Sequence, residues 1–142
     1  MGAEEAKRTA SLFKKQFEVV KSENDVFAII RGDGTVQEMA SGKTYRLRET
    51  SPDGVAWHPD LHRYGAGELN ERFLKATGRP MDAEAWTGWL AMKVVVEAAL
   101  RNRSIGSIRI DGHKGVALRF GPDGVLQQPL YRVSSNGQLV DG

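Results

Sequence analysis

The sequence contains no cysteine. Disulfide staples, thiolate nucleophiles and cysteine-bound metals are excluded with it, while the redox compartment is left open. Long hydrophobic runs are missing as well. The longest apolar stretch, residues 89–100, is broken by Lys93 and Glu97, and is too short and too charged to span a bilayer. No membrane insertion is expected. The start, Met1-Gly2-Ala3-Glu4-Glu5, lacks the basic-then-apolar layout of a signal peptide. Neither sign of charge dominates: 20 Lys and Arg face 18 Asp and Glu, for a net charge of +2. The basic residues are interspersed among acidic ones except near Lys14-Lys15 and across residues 101–109. A nucleic-acid binder would show a one-sided basic stripe with interleaved aromatics, so no nucleic-acid partner is expected. Internal repeats and low-complexity linkers are also absent.

What is present describes one globular domain spanning residues 1–142. Of these residues, 40% are hydrophobic and 27% charged, and a chain of this length buries roughly two-thirds of its unfolded surface without staples. Residues 4–16 read as a helix behind two glutamates, with Leu12, Phe13 and the following Gln16-Phe17 as a short apolar stripe. Residues 17–20 read as a short strand. Val26, Phe27, Ala28, Ile29 and Ile30 form a continuous apolar run of the kind found in strands covered on both faces, as in a parallel sheet. Gly32-Asp33-Gly34 ends it as a turn, residues 44–48 alternate as a strand, and Ser51-Pro52-Asp53-Gly54 is a turn. Residues 68–77 read as a helix stopped by Gly78 and Pro80. Asp82 caps a second helix, Ala83–Arg101, whose apolar residues cover more than half its circumference. Residues 116–120 and 127–133 flank Gly121-Pro122-Asp123-Gly124 as a hairpin, and Ser135-Asn136-Gly137 turns again. The expected architecture is a layered α/β domain: a small, mainly parallel sheet flanked by helices, with Ala83–Arg101 central and a C-terminal β-hairpin over residues 116–133.

Few constellations carry chemistry. His58-Pro59-Asp60-Leu61-His62 offers two imidazoles and a carboxylate, but its spacing matches no zinc motif and Pro59 stiffens it, so no bound metal is expected. Asp111-Gly112-His113-Lys114-Gly115 lacks the spacing of a phosphate-binding loop and has no following helix; it reads as a turn entering a strand. No G-x-S-x-G elbow and no complete dinucleotide fingerprint occurs, and no cofactor or catalytic residue is assigned. Trp86 and Trp89, on an apolar helix, read as core. Trp57, His58 and Tyr64, where two aromatics and an imidazole meet a loop, are the candidate ligand-binding residues.

Several segments occur in a familiar order: Ala56-Trp57-His58, Arg63-Tyr64-Gly65-Ala66, Leu69-Asn70, Arg72-Phe73 and Gly78-Arg79-Pro80-Met81. Trp86, Trp89, Lys93, Val96-Glu97-Ala98 and Arg101 follow, then Gly112-His113-Lys114-Gly115, Leu118-Arg119-Phe120 and Leu126-Gln127-Gln128-Pro129. Across roughly residues 17–140 the chain resembles the C-terminal part of type I periplasmic solute-binding proteins. The likeness is to ABC-transporter substrate-binding proteins associated with pyrroloquinoline-quinone-dependent alcohol oxidation, relatives of the branched-chain amino-acid binding proteins. The resemblance implies a partial periplasmic-binding-protein-like lobe, a periplasmic location, a small-molecule ligand and no catalysis. It also implies either an ABC permease or a second lobe or chain as partner. Such proteins close two lobes around a ligand, so a chain holding only part of that plan is an excerpt or a reduced protein that pairs, here expected as a homodimer through the helix Ala83–Arg101. The connection over residues 104–110 is shorter than the resemblance leads one to expect. Two alternatives remain open: an assembly module that kept the fold and lost the ligand, and a metal-dependent enzyme using His58, Asp60 and His62.

Overall fold

The computed structural model describes residues 17–21, 26–48 and 54–140. The expected helix at 4–16 and most of the turn at 51–54 lie outside the described residues. Four strands, β1 (Phe17–Lys21), β2 (Val26–Arg31), β3 (Thr35–Glu38) and β4 (Thr44–Arg46), form one sheet in the order β1-β2-β3-β4. Every pairing in it is antiparallel. The expectation of a mainly parallel sheet is therefore wrong, for two physical reasons. Only residues 32–34 join β2 to β3, and only residues 39–43 join β3 to β4, whereas a parallel crossover needs a dozen or more. And the run in β2 is buried on one face only: Ala28 and Ile30 lie inside, while Phe27 and Ile29 are half-buried on the other side. An apolar outer face mimicked the double cover of a parallel strand.

The turn after β2 is held by Asp33, whose Oδ1 accepts from the Thr35 hydroxyl at 2.6 Å and from the Thr35 N–H at 3.0 Å. These bonds, the Thr35 hydroxyl first, hold the Asp33 carboxyl below the usual carboxylate range.

Two helices follow. The first, α1 (Ala66–Thr77), ends where Gly78 takes a left-handed conformation and its N–H closes on the Leu74 carbonyl at 2.8 Å. The second, α2 (Ala83–Arg101), begins as the sequence predicts: Asp82 Oδ1 accepts from the Ala85 N–H at 2.8 Å. Its buried residues are Trp86, Thr87, Gly88, Trp89, Leu90, Ala91, Val94, Val95 and Ala98. The chain itself covers most of the wide apolar face; Val96 and Leu100 stay exposed, at 39% and 80%. One side of the cover is the inner face of the first sheet, where Ala28, Ile30, Val36, Tyr45 and Leu47 join the core. Buried Glu38 ties that face to a 3-10 turn at Ile105–Ser107, accepting from the Ile105 N–H at 2.6 Å and the Ser41 hydroxyl at 2.8 Å.

A second antiparallel sheet contains β5 (Ile110–Asp111), β6 (Ala117–Phe120) and β7 (Leu126–Gln127) in that order. The β6–β7 turn at Gly121-Pro122-Asp123-Gly124 is the expected hairpin, but its ladder stops at Gln127 rather than running to Val133. Pro129 has no N–H to offer a ladder, and the chain turns away to pair Tyr131 with Val55 through two bonds of 2.8 Å. The Arg46 N–H donates to Gly124 O at 2.8 Å and links the two sheets. Among the described residues, no helix is long and apolar enough to cross a membrane.

Candidate functional site

The three residues singled out from sequence do not share one role. Trp57 is only 2% exposed. Its indole stacks on Trp86 with centroids 5.7 Å apart and planes 7° from parallel, and its Nε1 donates to Asn70 Oδ1 at 2.7 Å. Asn70 in turn donates to Leu61 O at 3.0 Å. An amphipathic indole beside a buried amide satisfies both its ring and its N–H inside the chain, so Trp57 is packed in the core. His58 has both ring nitrogens engaged. Nε2 donates to Gly137 O at 3.0 Å, and Nδ1 accepts from the Asp60 N–H at 3.0 Å. Its ring staples the C-terminal turn to the loop before α1. Among the described residues, no group of three or more acidic or histidine side chains is placed to hold a metal ion.

Tyr64 is different. It sits in a 3-10 turn, Arg63–Gly65, at φ 59° and ψ 33°, with its side chain well exposed at 64%. A bulky aromatic in the left-handed region is a genuine backbone outlier, costing of order 1–3 kcal/mol. The ring lies against Gly115, where an added Cβ would stand 2.7 Å from Tyr64 Cε2; only glycine gives the phenol room. Tyr131 borders the same place, its hydroxyl pushed upward in pKa by burial and by the neighbouring Tyr64 phenol.

The loop between β5 and β6 supplies what sequence reasoning missed. It is the turn expected at residues 111–115, yet it carries two side chains with long-range hydrogen bonds, His113 and Lys114. His113, like Asn102 at the end of α2, also takes a positive φ, here 62°. Its N–H donates to Asp111 Oδ1 at 2.9 Å, and its Nδ1 meets the Tyr64 carbonyl at 3.0 Å. The imidazole packs 5.5 Å from the Trp89 ring. The Lys93 ammonium lies 4.9 Å over that indole and donates to Asp111 O at 2.8 Å. Lys114, 5% exposed, donates to Gln128 Oε1 at 2.9 Å and Pro129 O at 2.8 Å. Its ammonium stands 4.1 Å over Trp86 and 5.3 Å over Tyr131. Gln128 passes the link on, donating to Leu47 O at 2.8 Å. Lys114 therefore anchors the loop, so His113 is presented from a rigid base. The local signal that could have marked it is the pair of glycines framing His113-Lys114, though nothing local in the sequence joins that loop to Tyr64, some fifty residues earlier.

The result is a corner where an exposed phenol, an imidazole and an ammonium-capped indole meet on fixed backbone. Compared with family models, with curated proteins and with solved structures, the chain matches none.

Proposed function

We propose that this domain is a non-catalytic binding module of the solute-binding-protein kind, periplasmic and tied to ABC transport or quinoprotein alcohol metabolism, and that its ligand contact is the Tyr64–His113 corner. The observation that carries the reading is the pair of strained, mutually hydrogen-bonded residues. Strain of this size persists only where surrounding structure over-determines it, and such residues cluster at ligand clamps and active sites. Here it holds an aromatic ring out in water rather than in the core. The resemblance to solute-binding proteins supports the class, and the corner supports its location. Within this reading the original trio keeps one ligand residue, Tyr64, with His113 in place of Trp57 and His58.

A melting screen tests it. The purified chain is heated with panels of short-chain alcohols, aldehydes, carboxylates and neutral amino acids. A ligand present at a hundred times its Kd stabilises by about 2.7 kcal/mol, which raises the Tm of a domain this size by roughly 8 °C. A rise with at least one chemical class is expected. No rise with any of them overturns the reading.

A second reading, an assembly module, has one observation in its favour. Val96 and Leu100, spaced four residues apart on the outer side of α2, remain exposed, with Met92 half-buried on the same line. Pairing of two copies is proposed through this stripe, which is much narrower than the face anticipated from the sequence.

A further inference from the structure

The clasp between His113 and Tyr64 fixes more than a position. A carbonyl oxygen only accepts, so the imidazole nitrogen facing Tyr64 O at 3.0 Å must carry the proton. The neutral ring is thereby set as the Nδ1–H tautomer, and its lone pair sits on Nε2. His58 shows the contrasting arrangement, with the proton on Nε2 and both nitrogens engaged within the chain. For His113, the proton on Nδ1 leaves Nε2 as the ring's acceptor nitrogen.

Three devices hold this ring. Its backbone sits at φ 62°, its N–H is tied to Asp111, and Gly65 leaves it space: a Cβ there would stand 2.7 Å from Nδ1. We infer that His113 Nε2 is the acceptor that reads the ligand, and that it takes a hydroxyl donor from a small molecule whose flat or apolar body lies on the exposed Tyr64 ring. This deepens the binding reading and rests on it.

Two arguments select the hydroxyl. An ammonium brings three donors and strong hydration, whereas this corner presents one imidazole lone pair. And the Lys93 ammonium already occupies the Trp89 indole against which His113 packs, so a second cation meets like charge; of the carboxylates that the described contacts place here, Glu68 Oε2 would lie 3.5 Å from a Cβ on Gly65, and Asp111 already serves the His113 N–H. The body is selected by Tyr64 and by the exposed Val116 beside Gly115.

The test is an amide-shift titration of the full chain with three probes sharing one body: benzyl alcohol, benzyl methyl ether and benzylamine. Benzyl alcohol is expected to bind about fivefold more tightly than the ether, as one neutral hydrogen bond allows, with shifts centred on Tyr64, His113 and Gly115. His113→Asn is the matched variant. Asparagine tolerates the left-handed backbone, its amide keeps a donor for the Tyr64 carbonyl, and it places no acceptor where Nε2 was. The preference should vanish in it while ring binding survives. Equal affinities for alcohol and ether, a preference that survives His113→Asn, or tightest binding by benzylamine overturns the inference and leaves the binding reading standing. No shift at the corner with any probe overturns both. Independently of ligand, imidazole nitrogen shifts showing the Nε2–H tautomer at His113 overturn the inference alone.

Discussion

Replacing Trp57 by phenylalanine separates a core residue from a ligand wall. Two costs follow from its surroundings. Asn70 Oδ1, in a residue 8% exposed, loses the indole donor now 2.7 Å away; an unsatisfied buried acceptor costs about 1–3 kcal/mol. The smaller ring leaves space beside Trp86, where partial relaxation still costs about 1 kcal/mol. Together the substitution should destabilise by about 3 kcal/mol, a fall in Tm of roughly 10 °C for a domain of this length. Alanine is the poorer choice, because cavity and orphaned amide together approach the whole stability of a typical domain. Far-UV circular dichroism is the right readout, since removing an indole alters fluorescence by itself. Any compound that binds wild type should bind Trp57→Phe equally well below its melting temperature. A Tm within about 2 °C of wild type together with impaired binding would refute the assignment of Trp57 to the core and return it to the ligand site.

Other outcomes follow from the same structure. Trp89→Ala should destabilise by about 3–5 kcal/mol as a buried aromatic, measured by urea denaturation; an unchanged midpoint would show that the ring is not packed. The carboxyl of Asp33 has its folded pKa below the ordinary value, so it contributes stability above that range and loses it as pH falls through the folded value. Asp33→Asn should therefore be less stable than wild type at neutral pH, with the gap closing below about pH 4; a gap constant with pH contradicts this. Sedimentation over a wide concentration range should show a dimer that Leu100→Glu dissociates; a wild-type chain monomeric throughout removes the pairing.

Much of the local structure was legible because its causes are local. The Asp82 cap, the Gly78 stop, both helix bodies and the Gly121–Gly124 turn each depend on residues within a few positions. Parallel against antiparallel pairing was misread because a half-buried outer face in β2 has the composition of a covered one, and the length of the connecting turns was the better guide. The hairpin is shorter than its turn signal suggests because Pro129 has no N–H to donate. The candidate site was legible in part. Of its three residues Tyr64 is exposed beside the loop, whereas a tryptophan and a histidine in a loop look available until their partners are known. Those partners, Trp86, Asn70 and Gly137, are distant in sequence. The loop that carries His113 lacks a phosphate-binding pattern, and its meeting with Tyr64 is purely tertiary.

The central claim is that Tyr64 is held in strain for binding and not for stability. The most direct measurement pairs the two properties in Tyr64→Gly. Glycine adopts the observed φ of 59° without penalty, and a side chain so exposed gives up little buried surface. The account predicts a melting temperature equal to or above wild type, by up to about 1 kcal/mol in stability, together with loss of binding of the compounds that stabilise the wild-type chain. A variant that melts several degrees lower, or one that binds as well as wild type, would contradict it.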